Sequence, residues 1–140
     1  MKIVVGYVNT DEGKAALQWA ADHARDQGDE VIIVHSIRGG GKVEAEQDEV
    51  LTYRKELDAI ERRLADEGIV HKTRRLIRGW SPAEDLIQVV AEEGADIMVI
   101  GLRRRSRAGK FLLGSDAVEI LHDAECPVVA VKASYKAKTD

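Results

Sequence analysis

Short apolar runs alternate with longer amphipathic stretches along the whole chain. The runs lie at 3–8, 31–37, 69–77, 96–101 and 128–131, and their length and apolar character are typical of buried strands. The longer stretches between them repeat apolar residues at steps of three and four, which predicts helices. The pattern therefore predicts the element order β-α-β-α-β-α-β-α-β.

Capping residues and glycines mark the ends of the predicted helices. Thr10 is placed to cap the first helix, and Ser81 with Pro82 begins the third as a capping box. Three glycines lie just before the next strand, where they end a helix: Gly28, Gly68 and Gly94. Strands that alternate with helices in this way predict an α/β fold, a doubly wound five-stranded parallel sheet with helices on both faces.

The third strand differs from the others because charged residues interrupt it. Lys72, Arg74 and Arg75 lie within it, which favours a position at a sheet edge. The strand order 3-2-1-4-5 fits that position and makes the first and fourth strands neighbours. In such sheets a ligand lies at the carboxyl ends of the strands, where the strand order reverses. The predicted ligand crevice is therefore bounded by the loops at 8–11 and 101–114.

The loop between Gly101 and Gly114 is strongly cationic. It carries five cations and no acidic residue: Arg103, Arg104, Arg105, Arg107 and Lys110. A helix follows at Gly114-Ser115, and a helix N-terminus offers unpaired N–H groups and a positive dipole end to an anion. This stretch predicts a phosphate-bearing ligand.

Other interpretations of the same stretch remain open. The arginines also suit a solvated surface loop or a patch that docks a partner. Ser115 could cap the helix without any ligand, and Asp116 and Glu119 already place carboxylates near the positive dipole end.

Length and composition describe one domain, spanning residues 1–140, with a polar tail from about residue 134. The net charge of −4 argues against a protein that coats nucleic acid or an anionic membrane. A single cysteine, Cys126, leaves no internal disulfide and fits a reducing compartment. The first residues have the pattern of a strand and not of a signal peptide. No apolar run is long enough to span a bilayer. We therefore expect a cytoplasmic protein.

The sequence lacks the motifs of several catalytic and metal-binding classes of protein. The glycine run 39–41 fails as a P-loop because Val43 stands where serine or threonine is needed. The four histidines show no metal-ligand spacing, and Gly-x-Ser-x-Gly is absent. We predict no catalytic residue and no metal site.

Five segments resemble the universal stress protein family over essentially the full length of the chain. They are the Val-Val-Gly start, Ser-Pro-Ala-Glu-Asp at 81–85, Asp-Ile-Met-Val-Ile-Gly at 96–101, Leu-Leu-Gly-Ser at 112–115 and Cys-Pro-Val-Val-Ala-Val at 126–131. The resemblance implies the α/β fold described above. It also implies a homodimer formed by antiparallel pairing of the last strands, here Val128, Val129, Ala130 and Val131.

One branch of this family binds ATP through Gly-x2-Gly-x9-Gly-(Ser/Thr). Gly101, Gly114 and Ser115 match the outer positions of that pattern, and Arg104 stands at the second glycine. The resemblance implies that these residues, with Arg103 and the amides of Asp116 and Ala117, hold phosphates. Val8 stands where the family usually has aspartate, and Ser36 where it often has valine. Both would line the base or the ribose.

The function that the resemblance implies is reversible binding of an adenine nucleotide, ATP with Mg²⁺, in a stress or regulatory role. Nothing in the sequence supplies a catalytic base, so at most slow ATP hydrolysis is expected. The alternative is a nucleotide-independent dimeric module that docks an acidic partner through the arginine loop. A small nucleotide-hydrolysing enzyme is a third interpretation.

Overall fold

One parallel sheet of five strands organises the protein. The computed structural model describes residues 1–37, 43–77, 81–103 and 114–137. The strands are β1 (Lys2–Gly6), β2 (Glu30–Ile37), β3 (His71–Ile77), β4 (Ile97–Leu102) and β5 (Val128–Lys132). Their order is β3-β2-β1-β4-β5, and all four pairings are parallel. The fold class and strand order predicted from the sequence are confirmed.

Four helices connect the strands: α1 (Asp11–Gln27), α2 (Val43–Asp66), α3 (Pro82–Glu93) and α4 (Ser115–Asp123). The Thr10 hydroxyl accepts a hydrogen bond from the Gly13 N–H at the start of α1. The Ser81 hydroxyl accepts one from the Glu84 N–H at the start of α3. Gly28 ends α1 with φ of 74°, a left-handed conformation that glycine adopts without a Cβ clash.

The sheet separates two apolar cores. Alternate residues of a strand face opposite sides, so Ile3 and Val5 join one core with α1 and α2, while Val4 joins the other with α3 and α4. Buried helix residues close each core, such as Leu57 of α2 and Val89 of α3. Helices on both faces leave the carboxyl ends of the strands as the open end of the sheet.

The cations of β3 lie at the sheet edge, as predicted, and each has an acidic neighbour. Lys72 Nζ lies 2.8 Å from a carboxylate oxygen of Glu93, and this pairing lowers the pKa of Glu93. Arg74 pairs with Glu92 and Arg75 with Asp58, each at 3.2 Å. The edge therefore carries ion pairs with α3 and α2. Arg78 lies outside the described residues.

No helix in the described ranges combines the length and the apolar character needed to cross a membrane. The glycine run at 39–41 and Arg104, with the rest of the cationic loop to residue 113, lie outside the described residues.

Candidate functional site

A cavity of about 290 Å³ opens at the carboxyl ends of β1 and β4, where the strand order reverses. Its described lining comes from the carboxyl-terminal parts of three strands, from residues that follow them, and from three helices near their N-termini: Gly6, Tyr7, Val8, Thr10, Glu12, Val34, Ser36, Pro82, Leu86, Ile100, Gly101, Leu102, Arg103, Gly114, Ser115, Asp116, Ala117 and Ile120. The structure brings together every predicted site residue that it describes. Arg104 is the one that lies outside the described ranges.

The N-terminus of α4 forms one wall of this cavity. Gly114 is the N-cap residue, with φ of −72°, and the cap makes no side-chain hydrogen bond. The interpretation of Ser115 as the N-cap is therefore wrong, because Ser115 is the first helical residue. Without a side-chain acceptor at the cap, the positive dipole end of α4 remains available to an anion in the cavity.

The charges of the lining residues are mixed. Arg103 is exposed at the end of β4 and is the sole cation among the described lining residues. Two carboxylates also line the cavity, Glu12 from the first turn of α1 and Asp116 from α4. In the described part of the cavity, attraction for an anion therefore depends on Arg103 and the N-terminus of α4.

Gly101 has a structural role at this site that does not depend on a ligand. A Cβ placed on Gly101 would lie 2.5 Å from the carbonyl oxygen of Glu12, well inside the distance that packed atoms tolerate. The end of β4 therefore lies directly against the first turn of α1. The sequence predicted a phosphate contact for Gly101. The structure adds a packing role, because the absence of a side chain at Gly101 lets β4 approach α1 closely.

Ser36 lies at the β2 end of the cavity and is bonded to a buried carboxyl group. Its hydroxyl donates a hydrogen bond to Oδ2 of Asp85, which lies in the first turn of α3 and is 0% exposed. Apolar side chains of Val34 and Leu86 line the cavity beside Ser36. This end combines an apolar wall with one hydroxyl group.

Helix α2 holds the chain that follows β1. Tyr7 donates a hydrogen bond to Oε1 of Glu56, and burial, then this carboxylate, raises the pKa of the Tyr7 phenol above its usual range. The Tyr53 hydroxyl accepts a hydrogen bond of 3.2 Å from the Asn9 N–H, and its ring stacks on His35 at a centroid distance of 3.6 Å. These contacts fix the position of Val8, which is 48% exposed and lines the cavity.

Sequence reasoning missed Glu12, Tyr7 and Asp85. Tyr7 lies within the apolar run 3–8 that predicted the first strand, and Glu12 follows the cap of the predicted first helix, so neither position by itself pointed to the cavity. Asp85 carried a usable signal, because it lies four residues before Val89 on the apolar face of α3. Its partner Ser36 is 49 residues away in the chain, so the pairing itself had no local signal.

No cluster of three or more His, Cys, Asp or Glu residues suited to a metal ion lies in the described ranges. The carboxylates of Glu12 and Asp116 are the acidic groups that line the cavity in this part of the chain.

Comparisons with known proteins agree with this architecture. The family model described as the universal stress protein family matches residues 1–132. A universal stress protein of Mycolicibacterium smegmatis is 31% identical over 130 residues, which cover 93% of this chain and 96% of that protein.

Solved structures are similar over nearly the full chain. A universal stress protein from Archaeoglobus fulgidus has 32% identity and a TM-score of 0.80, covering 94% of this chain and 98% of its own. One from the same organism in complex with dAMP has 29% identity, a TM-score of 0.75 and the same coverage. A universal stress protein in complex with cAMP has 21% identity and a TM-score of 0.67, covering 96% of this chain and 98% of its own; it shows the fold alone.

The match over residues 1–132, the identity to a relative over nearly its whole length and the shared sheet order lead to one conclusion. This chain belongs to the universal stress protein family.

Proposed function

We propose that this chain binds an adenine nucleotide reversibly, with ATP as the ligand, in a cytoplasmic stress or regulatory role. The observation that carries the proposal is the cavity at the strand-order reversal, whose wall includes the N-terminus of α4 with no side-chain cap. That is where α/β sheets place ligands and where a helix receives phosphate. The relative of 29% identity in complex with dAMP supports an adenylate as the ligand.

The phosphates would lie at the α4 end of the cavity. The backbone N–H groups of Ser115, Asp116 and Ala117, the Ser115 hydroxyl and the Arg103 guanidinium would donate to phosphate oxygens. Gly101 and Gly114 would let the phosphates approach the backbone closely. Arg104 would add a second guanidinium in place of the glycine that related ATP-binding proteins have.

The nucleoside would lie at the β2 end, against Val8 and Ser36. Neighbouring strands of a sheet are about 4.8 Å apart, so the ends of β4 and β2, on either side of β1, are about 10 Å apart. That separation suits a ribose between a phosphate at α4 and a base at β2. The apolar side chains beside Ser36 would contact the base.

Mg²⁺ would enter together with the phosphates, whose negative charge it partly neutralises when bound. Glu12 and Asp116 line the cavity and are the carboxylates that would face such an ion. Two carboxylates are too few for an all-protein cage but are compatible with an ion held mainly by phosphate and water.

We also propose a homodimer formed through β5. β5 is an edge strand of the sheet, and Ala130 within it is exposed. The backbone groups on the outer side of β5 can therefore pair with a second copy of the chain. Antiparallel pairing of two β5 strands would join the two sheets.

The direct test is acid extraction of the purified protein, followed by absorbance and mass measurement of the released nucleotide. Calorimetric titration with ATP and Mg²⁺ then measures the affinity. We expect saturable binding of one ATP for each chain. Absence of both extracted nucleotide and binding heat at millimolar ATP would contradict the proposal and favour docking of an acidic partner by the arginine loop.

A further inference from the structure

The β1–α1 turn, residues 7–10, forms part of the cavity wall, and one of its hydrogen bonds comes from outside the cavity. Tyr7, Val8 and Thr10 line the cavity. Within the turn, the Thr10 N–H donates to the Val8 carbonyl oxygen at 2.9 Å. The Asn9 N–H donates instead to the Tyr53 hydroxyl of α2, at 3.2 Å. Helix α2 therefore supplies an acceptor for the backbone of this turn.

A second hydrogen bond joins the same turn to α2. The Tyr7 side chain is buried and donates to Oε1 of Glu56. Tyr53 and Glu56 are three residues apart, so they lie on the same face of the helix. The Tyr53 ring also stacks on the buried His35 of β2. Two side chains on one face of α2 thus hold the turn at two points.

These two side chains act on the cavity without entering it. No described residue of α2 lines the cavity. Other residues attach the helix to the rest of the fold: Leu57 and Leu64 are buried in the core, and Asp58 pairs with Arg75 of β3. The contacts of α2 with the turn are therefore separate from the contacts that hold α2 in the fold.

Loss of the two hydrogen bonds would allow the turn more than one arrangement. A ligand binds the arrangement in which the lining residues are in place, and its apparent affinity decreases with the fraction of molecules in that arrangement. By the same linkage, a ligand that binds this arrangement stabilises the contacts that maintain it.

We infer that Tyr53 and Glu56 are positioning residues for the ligand, and that nucleotide binding is linked to the docking of the central segment of α2, residues 50–58, on the β1–α1 turn. The inference rests on the proposed nucleotide binding and adds a route for its regulation. A partner that draws the central segment away from the turn weakens nucleotide binding, and bound nucleotide holds the segment in place.

Calorimetric titration with ATP at fixed Mg²⁺ tests the positioning role. Tyr53→Phe keeps the ring that stacks on His35 and removes the acceptor of the Asn9 N–H. Glu56→Ala removes the acceptor of the Tyr7 hydroxyl. We expect each change to weaken ATP binding by about threefold, and the double variant to bind about tenfold more weakly, which corresponds to about one competent molecule in ten.

Two further variants separate the hydrogen bond from the charge and from the helix. Glu56→Gln keeps an amide oxygen that can accept from the Tyr7 hydroxyl, so it should bind ATP more tightly than Glu56→Ala. Asp58→Asn is the matched control, because this acid lies on the same helix and pairs with Arg75 of β3 at 3.2 Å. Its affinity for ATP should equal that of the unaltered chain.

Hydrogen exchange tests the linkage, which a purely structural role would not produce. At exchange times too short for global unfolding, ATP should slow the exchange of amides 50–58 by about threefold or more in the unaltered chain. In the double variant at saturating ATP this protection should be lost, whereas amides 116–123 of α4 should remain protected by ATP.

The outcomes separate this inference from the proposed function. If ATP protects α4 but not residues 50–58 of the unaltered chain, the linkage is overturned and nucleotide binding stands. Unchanged affinity in the double variant would overturn the positioning role. Absence of binding heat and of protection anywhere in the unaltered chain would overturn both proposals. If the double variant does not fold, Tyr53→Phe and the exchange of the unaltered chain decide the question.

Discussion

The hydroxyl of Tyr135 donates a hydrogen bond of 2.7 Å to Oδ2 of Asp22, 113 positions earlier in the chain. Asp22 is 1% exposed in α1 and also accepts hydrogen bonds from Gln18 and Arg25. The residues after β5 are thereby attached to α1, and the ring of Tyr135 packs against the core on that face. The sequence had indicated only a polar tail there.

This contact predicts a specific pH dependence of stability. Burial, followed by the hydrogen bond to Asp22, raises the pKa of Tyr135 to about 12, whereas a tyrosine in the unfolded chain ionises near pH 10. Between these values the unfolded state releases the proton and the folded state keeps it. The free energy of unfolding should therefore decrease as the pH rises through this range. Below it the contribution of Tyr135 is fully present and does not change with pH.

Tyr135→Phe should lower the free energy of unfolding by about 1–2 kcal/mol at pH 8, because it removes a hydrogen bond to a charged group. It should also make the decrease above pH 10 shallower. The Tyr7 phenol, whose pKa is also raised, would account for part of the slope that remains. Urea unfolding at pH 8 to 11 measures both effects, and an unchanged slope in the variant would contradict the role of Tyr135.

Gly101→Ala should destabilise the protein by about 2 kcal/mol even when no nucleotide is present, because the added Cβ would meet the Glu12 carbonyl oxygen at 2.5 Å. Gly114→Ala is the matched control. Gly114 has φ of −72°, which any residue adopts, and its replacement by alanine should cost about 0.5 kcal/mol as a weaker N-cap. Equal midpoints of urea unfolding for the two variants would contradict the packing role of Gly101.

Ser115→Ala should weaken ATP binding by about tenfold, because it removes a donor to a charged phosphate. Gly114→Val should weaken it further by placing a branched side chain where the phosphates approach the backbone. Glu119→Gln, on the same helix but not lining the cavity, is the control and should leave the affinity unchanged. Calorimetry measures the affinities, and unaltered binding in Ser115→Ala would place the phosphates elsewhere.

Ala130→Pro should convert the proposed dimer into a monomer while the fold remains. The Met98 N–H donates to the Pro127 carbonyl, and Met98 is paired with Val128. In a parallel ladder this register turns the backbone groups of Val129 towards β4 and those of Ala130 towards the free edge. Proline at Ala130 therefore removes an N–H needed only by a second copy.

Val129→Pro is the contrasting variant, since it removes an N–H that faces β4 and should unfold or strongly destabilise the chain. Light scattering at micromolar concentration measures the oligomeric state. A dimer that persists in a folded Ala130→Pro variant would contradict pairing through β5.

The fold was predictable because local signals and the overall topology agree. Gly28 and Gly94 end helices in the left-handed conformation that their positions indicated, and the charges of β3 identified an edge strand. The position of the cavity followed from the strand order alone. These features depend on short stretches of sequence, where periodicity and turn chemistry are informative.

Contacts between distant residues were not predictable in the same way. The approach of Gly101 to Glu12 joins residues 89 positions apart, and no local pattern reports how closely a strand end meets a helix. Ser115 was a plausible cap by residue type, yet the helix begins with Gly114 as the cap. The extended backbone of Gly114 makes it the N-cap of α4, and residue-type preferences alone do not determine which residue takes that position.

The described residues that line the cavity come from two parts of the chain, 6–36 and 82–120. The intervening helix α2 and strand β3 supply none of them, although they close one core and one edge of the sheet. The segment 43–77 therefore shapes the cavity only indirectly, through the hydrogen bonds of Glu56 and Tyr53 to the chain that follows β1. A substitution at an exposed position of this segment, such as Leu51, changes no described lining residue.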